Sequence, residues 1–249
     1  MSDEGIPPTP PAPPVPESMD EPPGPPPEDT GRPGNPWEQR EQLGFVPGLI
    51  EGIKAFVTAP GETFSRTIKS GDVASPLIFA VILSTAMALI GQIWAMLFGA
   101  TLLSALPIPA EAEGVLSMLA VTSGFSIMAI FVVTPIFTVI GVFIGGGILH
   151  LMLMLVGGMG ESDAGFEGSL RTVAYGSGVG QLAQIVPFIG GMVSMVWTVV
   201  LLVTGAMRLH GTSQGKAVAA VLMPVVLCCV CGAALFFFGA FAAIMGANS

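Results

Sequence analysis

The sequence predicts an all-α membrane protein: a five-span transmembrane helix bundle with a disordered, Pro- and acid-rich N-terminal tail. Three observations predict it. First, 52% of the 249 residues are hydrophobic and only 10% are charged, whereas soluble domains carry about a quarter. Second, apolar runs of bilayer length recur from residue 77 onward. Lipid admits only helices or closed barrels as spanning structures, and these runs are too long for barrel strands. Third, residues 1–75 hold twelve of the seventeen acids and five of the eight bases. The net charge of −9 is therefore mostly a property of the N-terminal region. No basic patch is present, which excludes a nucleic-acid binder.

Residues 1–36 contain fourteen prolines and seven acids. Such a segment buries too little apolar surface to offset its ordering entropy, so it is expected to be disordered and cytoplasmic. Its PxxP spacings, such as Pro7/Pro10, lack neighbouring basic residues, which favours a spacer over a docking motif. The start of the chain has no basic segment followed by an apolar core, so no cleavable signal peptide is expected. Residues 37–75 change character. Phe45, Leu49, Ile53, Phe56 and Val57 recur at helical spacing, and Phe64 and Ile68 follow at i, i+4 after Pro60. Both stretches are expected to be amphipathic helices lying on the membrane surface. The rival expectation is a partner-binding helix.

The membrane domain is expected over residues 76–246. The first span, about 77–100, is 24 residues long, against roughly 20 needed to cross a bilayer. Pro107, Pro109, Glu111 and Glu113 then break the run. The next apolar stretch, about 125–156, would be near 48 Å as one helix, against about 30 Å of hydrocarbon. It is either one tilted helix kinked at Pro135 or part of a hairpin turning there. The positive-inside rule chooses the single helix. With further spans at about 170–189, 192–209 and 217–245, all eight bases fall on one side. The N-terminus is then cytoplasmic and the C-terminus lies on the opposite side. The hairpin alternative puts Arg171, Arg208 and Lys216 outside. GxxxG spacings, such as Gly141/Gly145 and Gly176/Gly180, favour tight helix packing in general.

Candidate functional residues cluster around the loop before the third span. His150, Glu167, Arg171 and Tyr175 form a candidate polar cluster, because Glu167, Arg171 and Tyr175 follow one another at i, i+4 on one helix face. Arg171, Arg208 and Lys216 are candidate contacts for lipid headgroups or a partner. A Ser177/His150 hydrolase fails on context, because Ala174 or Tyr175 stands where a nucleophile elbow needs glycine. Cys228, Cys229 and Cys231 lie in one apolar run without nearby His, Asp or Glu, which reads as buried thiols rather than a metal site. No catalytic residue, cofactor or metal is expected. The spans carry no acidic residue, which argues against proton- or sodium-coupled transport.

The ordered features resemble the Yip family, the Ypt/Rab-GTPase-interacting integral membrane proteins, in its bacterial form. The matching pieces are Pro60-x3-Phe64, His150-Leu151, Gly157-Gly158, and Phe166-x3-Leu170-Arg171-x2-Ala174-Tyr175. Pro187-Phe188-Ile189-Gly190, Trp197, Gly205, His210 and Lys216-Ala217 continue the series. The resemblance covers about residues 45–245. It implies five spans, a cytoplasmic N-terminal tail and a short exposed C-terminus. In eukaryotic relatives it implies vesicle trafficking through small GTPases, but their DLYGP-type tail motif is missing from this tyrosine-free tail. The reading is a non-enzymatic membrane protein that organises or tethers protein partners or lipids. The alternative is a small passive channel running past His150 and Tyr175. Expected partners are the bilayer and a membrane or cytoplasmic protein, a second copy of the chain included.

Overall fold

A computed structural model of the chain describes residues 31–105, 124–160 and 163–247. The tail expected to be disordered lies outside the described residues up to residue 30. The ordered part begins earlier than expected, however, because Asn35 is fully buried and residues 31–36 belong to the folded protein. The helices are α1 (Arg40–Leu43), α2 (Phe45–Thr58), α3 (Pro60–Arg66), α4 (Ala74–Ala105), α5 (Gly124–Leu155), α6 (Gly165–Gly180), α7 (Gly190–His210) and α8 (Gln214–Ala247). A 3-10 helix, Gln181–Ile185, extends α6. No strand occurs among the described residues.

Among the described residues, four helices contain stretches long and apolar enough to cross a bilayer: Ala74–Phe98, Met128–Leu155, Gly190–His210 and Gln214–Leu235. α5 runs unbroken through Pro135, as the single-helix reading expected. The third expected span has a different build. α6 has 16 residues and is the most polar of the long helices, with Arg171, Thr172, Tyr175 and Ser177 along it. It packs against α4, α5 and α7, so Arg171, Thr172 and Tyr175 face protein rather than lipid. Eleven of its residues are buried. By length and apolarity the five-span count is thus not met, because the central helix does not need to be apolar when its neighbours shield it.

Small residues permit this closeness. Gly180 packs on α7 so tightly that a Cβ would meet the Thr198 hydroxyl and lie 3.0 Å from the Thr198 Cα. The α6–α7 turn needs Gly190 for a similar reason, because a Cβ there would run into the Ala183 carbonyl. At the other end, α7 stops at Gly211, whose φ of 66° suits glycine in the left-handed region.

Residues 31–73 form a cap over one end of the bundle. The Asn35 side-chain oxygen accepts the N–H groups of Trp37 and Glu38, at 3.0 and 3.1 Å, and starts the chain toward α1. Trp37 donates its indole N–H to the Ser75 carbonyl at 2.7 Å and packs edge-on against Phe45. Arg32 donates to the carbonyls of Phe64, Thr67 and Arg208, each at 3.2 Å, and so joins the C-terminal ends of α3 and α7. Part of the α2 stripe expected to lie on the membrane surface faces the bundle. Phe56 is fully buried and stacks on Tyr175 at 4.9 Å, while Leu49 and Ile53 pack on the same core. The exposed apolar residues of α2 are Phe45, Val46, Ile50 and Val57.

Candidate functional site

Two polar clusters lie beneath the cap. The first is centred on Arg171, which is 1% exposed. It was a candidate contact for headgroups or a partner as well as a cluster member, and the cap covers it. Its Nη1 donates to Glu38 Oε1 at 3.1 Å, and its Nη2 donates to the Asp72 carbonyl at 2.9 Å. Glu167, one turn away, lies 4.0 Å from Nη2 and accepts the Gly71 N–H at 2.7 Å. Tyr175 donates its hydroxyl to Glu38 Oε1 at 3.0 Å. The other Glu38 oxygen accepts the N–H groups of Asn35 and Ile68, at 2.9 and 3.1 Å. One carboxylate of the cap therefore binds two side chains of α6 and two stretches of its own segment. Burial raises the Glu38 carboxyl above its ordinary value, against the pull of the Asn35 and Ile68 amides, Arg171 and Tyr175.

Asp72 guards the start of α4. Its carboxylate accepts the Ser75 N–H at 3.1 Å and the Ser75 hydroxyl, and lies 3.9 Å from Arg40. Burial alone would raise this carboxyl. The Ser75 hydroxyl and amide, Arg40 and the Ala74 amide together hold it below its ordinary value.

The second cluster is a chain of three side chains. Ser169 Oγ lies 3.3 Å from His150 Nδ1 and 3.0 Å from His210 Nε2. Ser169 and His210 are fully buried. His210 Nδ1 has no hydrogen-bond partner among the described residues. This chain links α5, α6 and α7. His150 thus belongs with Ser169 and His210, apart from the residues it was grouped with.

The other candidates are placed as follows. Lys216 is exposed and donates to the Gly157 carbonyl at 2.7 Å, joining the start of α8 to the end of α5. Arg208 is exposed beside α3. Ser177 donates to the Val173 carbonyl at 2.6 Å, a local bond within α6, and is not paired with His150. Cys228, Cys229 and Cys231 are exposed on α8, where buried thiols were expected. No group of three metal-ligating side chains occurs among the described residues. Glu38 and Ser169 are the organising residues that sequence reasoning missed. Trp37 was the available signal, as the first large aromatic after a long stretch without one.

The fold and site define an integral membrane helix bundle closed at one end by a cap held through buried polar contacts. The model of the Yip1 domain matches residues 54–236, and the chain belongs to that family. The family is one of membrane proteins not known as enzymes. No curated protein and no solved structure matches the chain. Glu38 lies before the matched region, whereas Arg171 and Tyr175 lie inside it.

Proposed function

We propose that this Yip-family protein is a non-enzymatic membrane organiser: its bundle and cap hold the N-terminal tail at a fixed place on the membrane and present it to a protein partner. The observation that carries this reading is the Glu38–Arg171–Tyr175 latch, which ties the segment just after the tail to the central helix. Such a latch fixes the point on the bundle from which the tail departs.

The reading includes five crossings with the N-terminus cytoplasmic. α6 and its 3-10 extension together would rise about 34 Å, at roughly 1.5 and 2.0 Å per residue, which suffices for hydrocarbon of about 30 Å. Arg32 bonds the end of α7, Arg171 bonds the loop before α4, and Lys216 bonds the end of α5. With Arg208 in the last turn of α7 and the other bases on the cap, the positive charge gathers at one end of the bundle, which suits the cytoplasmic side. The exposed apolar residues of α2 would then meet the membrane interface. The channel alternative has less support. Tyr175 is fully buried and packed between Phe56 and Phe79, which leaves it no path to line.

The test is a crosslinked pull-down from native membranes with the full chain and a version lacking residues 1–30. The deletion stops there because Arg32 to Trp37 belong to the cap. A specific partner lost with the tail supports the organiser. Absence of any partner in both samples would remove the reading.

A further inference from the structure

Away from the cap, a cavity of about 650 Å³ opens between α4, α5 and α6 with its 3-10 extension. Its volume falls among small-molecule sites, about 300–1,000 Å³. Its lining includes the hydroxyl and amide side chains of Ser84, Thr134, Thr138, Ser177, Gln181 and Gln184, and no charged residue. The lining residues of α4 and α5 belong to two bilayer-length stretches, so these groups face the cavity at membrane depth.

The hydrogen-bond account of this wall is incomplete. Gln181 donates its amide to Ser84 Oγ at 3.3 Å and to the Ser177 carbonyl at 3.0 Å. Gln184 donates to Ser194 Oγ at 3.2 Å. The side-chain carbonyls of both glutamines, and the hydroxyls of Thr134 and Thr138, have no hydrogen bond among the described residues. Unmet polar groups facing hydrocarbon cost several kcal/mol each, so such a wall calls for a hydrogen-bonding occupant. The missing positive charge disfavours a phosphate, and the depth disfavours any ion. A second cavity, of about 430 Å³, shares Gly91 and Gln184 with the first and continues past Trp94 and Phe98 to Phe188. It adds an apolar annex along the same side of α4.

We infer that this paired cavity binds an uncharged, hydroxyl-bearing lipid such as a diacylglycerol, its polar groups on Thr134, Thr138, Gln181 and Gln184 and its chain along the annex. The site is separate from the latch and goes beyond the tethering role. A hydroxyl supplies the donor that the free amide carbonyls lack, and ester oxygens accept from the threonine hydroxyls.

The test uses the full chain in phosphatidylcholine vesicles with a photoreactive diacylglycerol. Label is expected on segments 84–91, 134–141 and 177–191. Unlabelled diacylglycerol should displace it about tenfold better than phosphatidylglycerol, which is roughly 1.4 kcal/mol of preference. A long-chain prenyl alcohol serves as second competitor. If it displaces better than diacylglycerol, the hydroxyl chemistry stands and the source is a lipid alcohol. Gly91 and Gly141 both line the cavity and have open space where a Cβ would go, so Gly91→Leu with Gly141→Leu should occupy it and abolish labelling. Thr134→Val with Thr138→Val keeps the shape and should weaken labelling while thermal melting is unchanged. Label spread evenly over the lipid-facing side of α8 would overturn the inference. So would equal displacement by phosphatidylglycerol, or labelling that survives both pairs of substitutions.

Discussion

The two buried polar clusters share one end of the bundle but differ in what they join. The Glu38 cluster connects segments 133 residues apart, pairs opposite charges and holds the cap on α6. The histidine cluster has no opposite charge, connects α5, α6 and α7 only, and leaves one ring nitrogen unpartnered. Burying an ion pair gains little over a well-packed apolar pair, but removing one partner alone is costly. The first cluster is therefore a latch that depends on both halves. The second is a local brace, whose loss is limited to neutral hydrogen bonds.

The largest expected effect follows from that asymmetry. Glu38→Ala leaves the Arg171 guanidinium buried without its main partner and should cost about 3–5 kcal/mol in thermal or denaturant unfolding in detergent. The double variant Glu38→Gln, Arg171→Met should recover most of that loss, because no uncompensated charge remains and the glutamine carbonyl still accepts from the cap. A double variant as unstable as Glu38→Ala would show that shape, not charge pairing, makes the latch. Ser169→Ala comes next. It deprives both histidines of their shared partner and should cost about 1–3 kcal/mol while leaving the cap in place, as read by protease resistance of residues 31–73. Tyr175→Phe removes one bond to Glu38 but keeps the aromatic stack with Phe56, so about 0.5–1.5 kcal/mol is expected.

The smallest effect separates the two cap carboxyls by pH. Glu38 is raised on folding, so the folded state holds its proton more tightly than the unfolded state does. Its contribution to stability is greatest below 4.5 and falls as pH rises through its folded pKa. Asp72 is lowered, so its contribution is present above 3.8 and is lost as pH falls through its folded pKa. Melting temperature measured across this range should lose the first slope in Glu38→Gln and the second in Asp72→Asn.

Much of the bundle was legible in the sequence because lipid-facing helices must be apolar throughout. α4, α5 and α8 announce themselves by composition, and the long helix through Pro135 follows from charge placement. α6 was harder to read. Its neighbours shield it, so it tolerates Arg171, Thr172, Tyr175 and Ser177 and falls short of the spanning pattern. The candidate site was half legible. Helical spacing puts Glu167, Arg171 and Tyr175 on one face; Glu167 lies 4.0 Å from Arg171, and Arg171 and Tyr175 both bond Glu38. Glu38 could not be read by any local period, because its partners come from tertiary packing. The same packing placed His150 beside Ser169 and turned Leu49, Ile53 and Phe56 of the α2 stripe toward the core.

The most direct test of the latch is amide hydrogen exchange on the full chain and on Glu38→Ala in the same membrane mimic. The account expects residues 31–73 to exchange much faster in the variant, while α7 and α8 keep their protection. Unchanged exchange in the cap would contradict it, because the cap would then be held by something other than the Glu38–Arg171–Tyr175 cluster.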